Sequence, residues 1–351
     1  MNISRLTSFI IIAAGIMAVA SCKKDKTTEV DPMLNGTLSF YAPEFIEPGQ
    51  TIFLTPKGVE HPEGEGVGFY WKVTPSSTSS NDTSRFENGL DHEGNKTDGT
   101  YKCTFPDTLA VFTVKCFAFA EGYTGSSATR YVTTVRPGLD GSLTDLDILP
   151  TDPHITIDGQ DYYYVKIGNL EWFRNNIGVR TGGMPYNNAE IMSDVLGRFY
   201  NFEDAKSACP EGWRLPTEAD WLTLSETAGV KTSTYGIMKG IAARLMADAK
   251  FNGVDMWDYW PAVGTLTNDW GFSAIPAGYV NLGPKSETGE YPQADSNGVY
   301  EYATFWTADE VEGEEGMAYY RYIVADQPDV FITKGDKANF GASVRCVRDA
   351  K

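Results

Sequence analysis

Thirty-five glycines and 18 prolines are spread through a chain of 351 residues. Proline interrupts helix interiors and sheet ladders, and glycine destabilises the middle of either element. Long helices are therefore excluded, and short strands between frequent turns are expected. Hydrophobic residues make up 42% of the chain, enough for the cores of about two domains. Acidic residues outnumber basic ones by 47 to 29, a net charge of −18. That balance argues against a nucleic-acid partner, because phosphate binding needs clustered Lys and Arg. It argues equally against docking on anionic lipid through a basic face.

One long apolar run occurs, at residues 9–20 behind Arg5. As a helix its twelve residues would rise about 18 Å, short of the roughly 20 residues a bilayer core requires. It reads as a signal-peptide core over residues 1–21 rather than a membrane span. Ala20 and Ser21 before Cys22 resemble a bacterial lipobox. The resemblance implies cleavage before Cys22, acylation of its thiol and attachment to a membrane through that lipid. Lys23 stands where Asp would favour retention in the inner membrane, so the outer membrane is expected. Polar residues 22–33 read as a tether, and their lysines resemble the surface-export signals of Bacteroidetes lipoproteins.

Besides Cys22, four cysteines remain: Cys103, Cys116, Cys209 and Cys346. An even number in an exported chain predicts two disulfides, with three connectivities open. Local pairing within each domain is expected, which joins Cys103 to Cys116.

Residues 34–137 read as an all-β sandwich. Strands are predicted at 37–41, 51–55, 67–73, 99–105, 111–120 and 129–135, with turn clusters such as Glu47-Pro48-Gly49 between them. Phe112, Val114, Cys116 and Ala118 alternate with Thr113, Lys115 and Phe117, as a half-buried strand requires. Six strands in about a hundred residues point to an immunoglobulin-like sandwich. Phe69-Tyr70-Trp71-Lys72-Val73, with Thr104-Phe105-Pro106-Asp107, resembles PKD modules of bacterial surface proteins. That resemblance implies a spacer or adhesion module with Trp71 at its centre. Ser76 opens a polar loop. Residues 138–153 read as an acidic linker, in which Asp140, Asp145, Asp147 and Asp152 could hold calcium.

Residues 154–349 carry a more specific pattern. Gly197-Arg198-Phe199-Tyr200-Asn201-Phe202 leads into a helix at 203–208, then Cys209-Pro210-Glu211-Gly212-Trp213-Arg214-Leu215-Pro216-Thr217. Thr217 is a good N-cap with Asp220 three residues on, so a second helix is predicted at 218–228. A third is predicted at 237–249, where Ile237, Ile241, Leu245 and Met246 approximate one apolar face. Further on stand Gly271-Phe272-Ser273-Ala274-Ile275-Pro276-Ala277-Gly278-Tyr279, Phe305-Trp306 and Ser343-Val344-Arg345-Cys346. Together these segments resemble the Fibrobacter succinogenes major paralogous domain of surface lipoproteins. The resemblance implies an α+β, C-type-lectin-like fold. In such folds a cysteine on the first helix bonds one on the last strand, positions held here by Cys209 and Cys346.

Formylglycine-generating enzymes share that fold, and their signature is similar to residues 214–221. They require a reactive cysteine pair for copper, whereas the resemblance commits Cys209 and Cys346 to the fold disulfide. That activity is not expected. No HExxH, GxSxG or phosphate-cradling glycine loop occurs, and His61, His92 and His154 all lie before the second domain's patterned segments. Gln327-Pro328-Asp329 matches a sugar-binding tripeptide of C-type lectins, but its Trp-Asn-Asp partner is not downstream. The candidate ligand surface is instead Met256-Trp257-Asp258-Tyr259-Trp260-Pro261 with Trp270, the other reading of these rings being core or inter-loop packing. Sugar rings stack on exposed aromatic faces while carboxylates such as Asp258 accept hydroxyl hydrogens. The sequence thus predicts a non-enzymatic envelope lipoprotein without an obligate cofactor, binding a glycan or another surface macromolecule. A structural envelope protein is the alternative, and a carbohydrate-active enzyme the third reading.

Overall fold

Turns fall densely through the computed structural model, which describes residues 31–76, 99–230, 232–260 and 264–351. Cys22, the signal segment and most of the tether lie outside the described residues. The chain is predominantly β, in many small sheets. No helix among the described residues is long and apolar enough to cross a membrane.

The N-terminal strands are β1 (Asn35–Ser39), β2 (Phe45–Ile46), β3 (Thr51–Leu54), β4 (Lys57–Glu60), β5 (Gly68–Pro75), β6 (Tyr101–Thr104), β7 (Val111–Phe119) and β8 (Ser126–Thr134). One sheet runs β2-β8-β7-β5, while β1 pairs β4 and β3 pairs β6. Along β7 the predicted alternation holds, with Phe112, Val114, Cys116 and Ala118 inward. The inward residues of these sheets share one core around Leu54, Trp71, Phe105 and Val132. Each such large side chain, fully buried, stabilises the fold by roughly 1.5–3 kcal/mol. Trp71 is wholly buried, packs edge-on against Phe40 at 5.0 Å, and donates its indole N–H to the Gly99 carbonyl at 2.9 Å.

Cys103 and Cys116 do not bond to each other; both are free and buried. Cys103 lies on β6 opposite Ile52, whereas Cys116 lies in the other sheet, directly opposite Trp71. Burial pushes the Cys103 thiol up to about 11 and Cys116 up to about 12. Disulfide chemistry requires a thiolate, which this apolar core disfavours.

The acidic join is not a solvated linker. Leu143 and Leu146 are buried in a core cluster with Met192, Phe199 and Val280 of the C-terminal half. Within it β9 (Leu143–Thr144) pairs with β15 (Lys250–Phe251). Asp140, Asp145 and Asp147 adopt left-handed backbone angles near +58° (59°, 59° and 57°), a conformation Asp tolerates in turns. Their frequency here matches the density of turns in this segment. Phe45 of β2 meets Tyr186 edge-on at 5.9 Å, and Glu44 accepts a hydrogen bond from Asn187 Nδ2 at 2.9 Å. The N-terminal strands are thereby packed onto the C-terminal half.

In that half β10 (His154–Ile157), β11 (Gln160–Ile167) and β12 (Leu170–Phe173) form a meander completed by β23 (Val347–Asp349). Short β13 (Met184–Pro185) and β14 (Arg198–Phe199) pair before α1 (Phe202–Ala208). The helix α2 (Glu218–Thr227) starts at the predicted capping box of Thr217 and Asp220. Cys209, at the end of α1, bonds Cys346, just before β23, as the family resemblance implied.

The predicted third helix shrinks to α3 (Ala242–Leu245). Met238 exchanges both backbone hydrogen bonds with Val330, and the Ala247 N–H goes to Ala274 O. These strand-like pairings take the backbone groups that a longer helix would use. Ile241, Leu245 and Met246 remain fully buried, so the apolar positions were read correctly and their period was not. After β16 (Val254–Asp255) come β17 (Tyr279–Asn281) and β18 (Asp295–Asn297), then the antiparallel sheet of β19 (Tyr302–Glu310), β20 (Met317–Val324) and β21 (Phe331–Asp336). Finally β22 (Phe340–Gly341) pairs with β17.

Candidate functional site

The predicted aromatic loop turns inward. Trp257 is 3% exposed and Trp260 2%, and both belong to the cluster built on Trp172, Trp221, Leu245 and Phe272. Trp257 donates its indole N–H to Ala247 O at 3.0 Å. Trp270 is half-buried, with the Arg244 guanidinium 5.0 Å above its ring. Of the predicted residues only Tyr259, 56% exposed, and Asp258 face water. A stacking platform needs several flat faces in the open, and these residues do not provide them.

Three of the four aspartates expected at the join have protein partners. Asp152 accepts from Arg174 Nη1 at 2.7 Å, Asp147 from Asn268 Nδ2 at 3.0 Å, and Asp145 pairs with Lys250 at 3.5 Å. Asp329 of the lectin-like tripeptide is held by Lys239 at 2.6 Å and the Gly240 amide at 2.8 Å. Among the described residues no cluster of three His, Cys, Asp or Glu side chains gathers around a point that could hold a metal.

The recognisable motif segments bind one another instead. Arg345 is fully buried. It donates to Asn176 Oδ1 at 2.7 Å, Phe272 O at 2.6 Å and Ser273 O at 2.9 Å. Burial, with Arg174 nearby, lowers its pKa to about 9. Arg174 ties Asp152 and the Asp147 carbonyl to the Ser273 hydroxyl. Arg321, 1% exposed, pairs with Glu218 and donates to Gly236 O at 2.6 Å. Burial holds the Glu218 carboxyl above its usual range although Arg321 opposes it. Asp220 is the reverse case. Burial opposes its ionisation, but Arg214 and Thr217 outweigh burial and lower its pKa. These charged side chains hold loops in place.

A cavity of about 760 Å³ lies between the join and the β10–β11 turn, with Asp158, Asp161 and Asp194 on its wall. Asp161 accepts the Thr156 hydroxyl at 2.6 Å, and Asp194 accepts from Arg180 at 2.9 Å. Those two carboxylates serve as turn and ion-pair partners.

Among the described residues a further concentration of partly exposed rings is a sheet face that the sequence reading did not assemble. Side chains directly opposite in an antiparallel pair, and alternate residues along a strand, share a face. Trp306 lies opposite Tyr320 and Thr304 opposite Tyr322. Tyr320 in turn lies opposite Thr333, and Tyr322 opposite Phe331. This outer face is therefore aromatic, while Phe305, Arg321 and Ile323 point to the inner one. At one end Trp306 is buried, giving its indole N–H to Tyr200 O at 2.7 Å and packing on Phe202 at 5.5 Å. Towards the other end the rings stay partly exposed.

Five of them close a circuit. Tyr322 meets Tyr302 at 6.4 Å, Tyr302 meets Tyr279 at 5.9 Å, and Tyr279 meets Phe340 at 5.7 Å. Phe340 then meets Tyr320 at 4.5 Å, and Tyr320 returns to Tyr322 at 6.0 Å. Phe331 stacks outside it on Tyr322 at 5.1 Å. Gly335 makes room for the circuit: a Cβ there would stand 2.7 Å from Phe340 Cδ1 and 3.1 Å from Trp306 Cη2. Burial raises the phenol pKa values of Tyr302 and Tyr322 and pushes Tyr320 up to about 12, with neighbouring tyrosines adding to Tyr302 and Tyr320. The sequence signal was present, as Tyr302 and Trp306 four residues apart on one strand and Tyr320 and Tyr322 two apart on the next, but only strand register joins them.

A family model, the Fibrobacter succinogenes major domain, matches residues 165–348. No curated protein and no solved structure matches the chain.

Proposed function

We propose a function from one premise: this chain belongs to the Fibrobacter succinogenes major domain family. On that premise it is a non-enzymatic outer-membrane lipoprotein that recognises a glycan at the cell envelope. Acyl chains on Cys22 anchor it. An immunoglobulin-like, PKD-type sandwich acts as the stem, and a C-type-lectin-like domain carries the binding face. The pairing of Cys209 with Cys346 supports the lectin-like reading of that domain.

The observation that carries glycan recognition is the aromatic circuit on the outer face of β19–β21. Sugar rings present C–H faces that stack on aromatic rings, and tyrosine adds a hydroxyl at the ring's edge. The test is a glycan array probed with the full chain in detergent. Wild type should bind at least one glycan, and the double variant Tyr302→Ala, Tyr322→Ala should lose it. Binding unaltered by that double variant would refute the assignment of this face. For the anchor, Cys22→Ala should move the protein from the membrane to the soluble fraction, because the described residues hold no membrane-spanning helix and so acidic a chain is repelled by anionic lipid.

A further inference from the structure

Resting on that reading, we infer that the aromatic face takes uncharged or amino sugars and rejects sugars bearing uronate or sulfate. The argument is one of charge placement. On the outer face of β19–β21 the paired positions running from Tyr302 through Trp306, Ala318 through Val324, and Phe331 through Gly335 carry no ionisable group other than phenols. The cations of the same strands lie elsewhere. Arg321 and Lys334 sit opposite Ile332 and Tyr319, on the inner face. Arg321 is committed to Glu218 and Lys334 to Glu314. Lys337, after β21, is paired with Glu310. Among the described residues of these strands, an incoming carboxylate or sulfate would find each of these cations already paired.

It would find acids instead. Glu301 precedes Tyr302 directly, and Asp326 follows β20; both act on the Tyr302 phenol. Glu301 and Asp326 are exposed. At close range in a partly desolvated interface, like charges repel by more than they do across open water. The whole chain adds to this with its net charge of −18. A neutral sugar experiences no such penalty, and an ammonium group would be attracted to the same rim.

Hydrogen bonding points to sugars rather than to a purely apolar partner. The hydroxyls of Tyr279, Tyr302, Tyr320 and Tyr322 form no hydrogen bond to another described protein group, in contrast to Tyr162, Tyr200 and Tyr291, whose hydroxyls are all engaged. Buried under an apolar partner, four unsatisfied hydroxyls would each carry a desolvation cost. Under a sugar they can donate to and accept from its hydroxyls.

The experiment uses the full chain in detergent and three hexasaccharides that differ in charge: cellohexaose, the glucosamine hexamer and a hyaluronan hexasaccharide. Calorimetric titration should give binding to at least one of the first two, at least tenfold tighter than to hyaluronan. Tyr302→Ala with Tyr322→Ala should weaken that binding at least tenfold. Glu301→Gln with Asp326→Asn should narrow the gap to hyaluronan and leave cellohexaose unchanged. Hyaluronan binding as tight as the others, and lost in the tyrosine variant, would overturn the selectivity while leaving glycan recognition standing. An unchanged gap in the rim variant would overturn the charge argument. No binding of any of the three would remove glycan recognition at this face, and the selectivity with it.

Discussion

The Met256–Trp260 loop and the outer face of β19–β21 are both dense in large rings, and the chain uses them in opposite ways. In the loop, Trp257 and Trp260 fill the core. On the sheet, Tyr302, Tyr320, Tyr322 and Phe331, with Tyr279 of β17 against them, stay partly in water. Residue type does not separate the two. What does is whether backbone geometry presents successive rings to one side. A loop can turn each side chain independently toward the nearest unfilled volume. A strand cannot, because its pleat fixes alternate residues on one face and its neighbours extend that face sideways. Whatever the core does not cover stays uncovered.

The comparison is broken most easily at Trp257. Its truncation to Ala should cost about 3–5 kcal/mol, through lost burial and the cavity left behind, as a large fall in urea or thermal midpoint. A loss below about 1 kcal/mol would mean that the loop is not core. Gly335→Ala comes next. The new methyl must displace Phe340 or Trp306, and such overpacking costs typically about 1–3 kcal/mol. Glycan binding should weaken alongside, because Phe340 belongs to the circuit. Smaller still is Tyr322→Ala, expected at under about 1 kcal/mol for a partly exposed ring. If its midpoint falls as far as that of Trp257→Ala, the sheet face is core too and the contrast disappears.

The last effect is absent at neutral pH. Tyr320 has its pKa raised to about 12 from the usual 10, by burial first and then by Tyr322, Tyr279 and Tyr302. A group that holds its proton more tightly when folded stabilises the fold fully below pH 10. That contribution is lost as pH rises from 10 through 12. Denaturation midpoints should therefore drop over that window, and Tyr320→Phe should drop less. An identical alkaline profile in the two proteins would show that this phenol is freely solvated.

What could be read from the sequence was local or anchored by covalent chemistry. The capping box at Thr217 and Asp220, the alternation along β7 and the turn positions depend on neighbours a few residues apart. The Cys209–Cys346 bond was legible through the family resemblance. The errors share one cause. Cys103 and Cys116 are close in sequence, but β6 and β7 belong to different sheets. The apolar spacing of 237–249 is real, yet its backbone pairs with Val330 and Ala274. The join is acidic, yet Leu143 and Leu146 are drawn into a core that also takes residues from Met184 to Tyr291. The aromatic face needed the register of three strands and the approach of Phe340, none of which is local. In each case long-range pairing decided the outcome, and a single sequence carries little trace of it.

The bond between Cys209 and Cys346 also sets how the molecule answers a pull. If the chain is held at its N-terminal end and a bound glycan drags on the other half, tension enters along the backbone. The disulfide closes a loop of 137 residues, about 480 Å of extended chain at roughly 3.5 Å per residue. With the bond intact, a load applied within the loop can draw out only the shorter arm between that point and the disulfide. Beyond the loop, β23 lies alongside β12, with Trp172 opposite Val347, so the two ends of the C-terminal half leave it side by side. Load arriving at β10 would first peel or shear this meander, and the loop holding the aromatic face would ride as one closed ring. In a reducing medium the same load would unravel it, so contour length released in a force-extension experiment should depend on reductant.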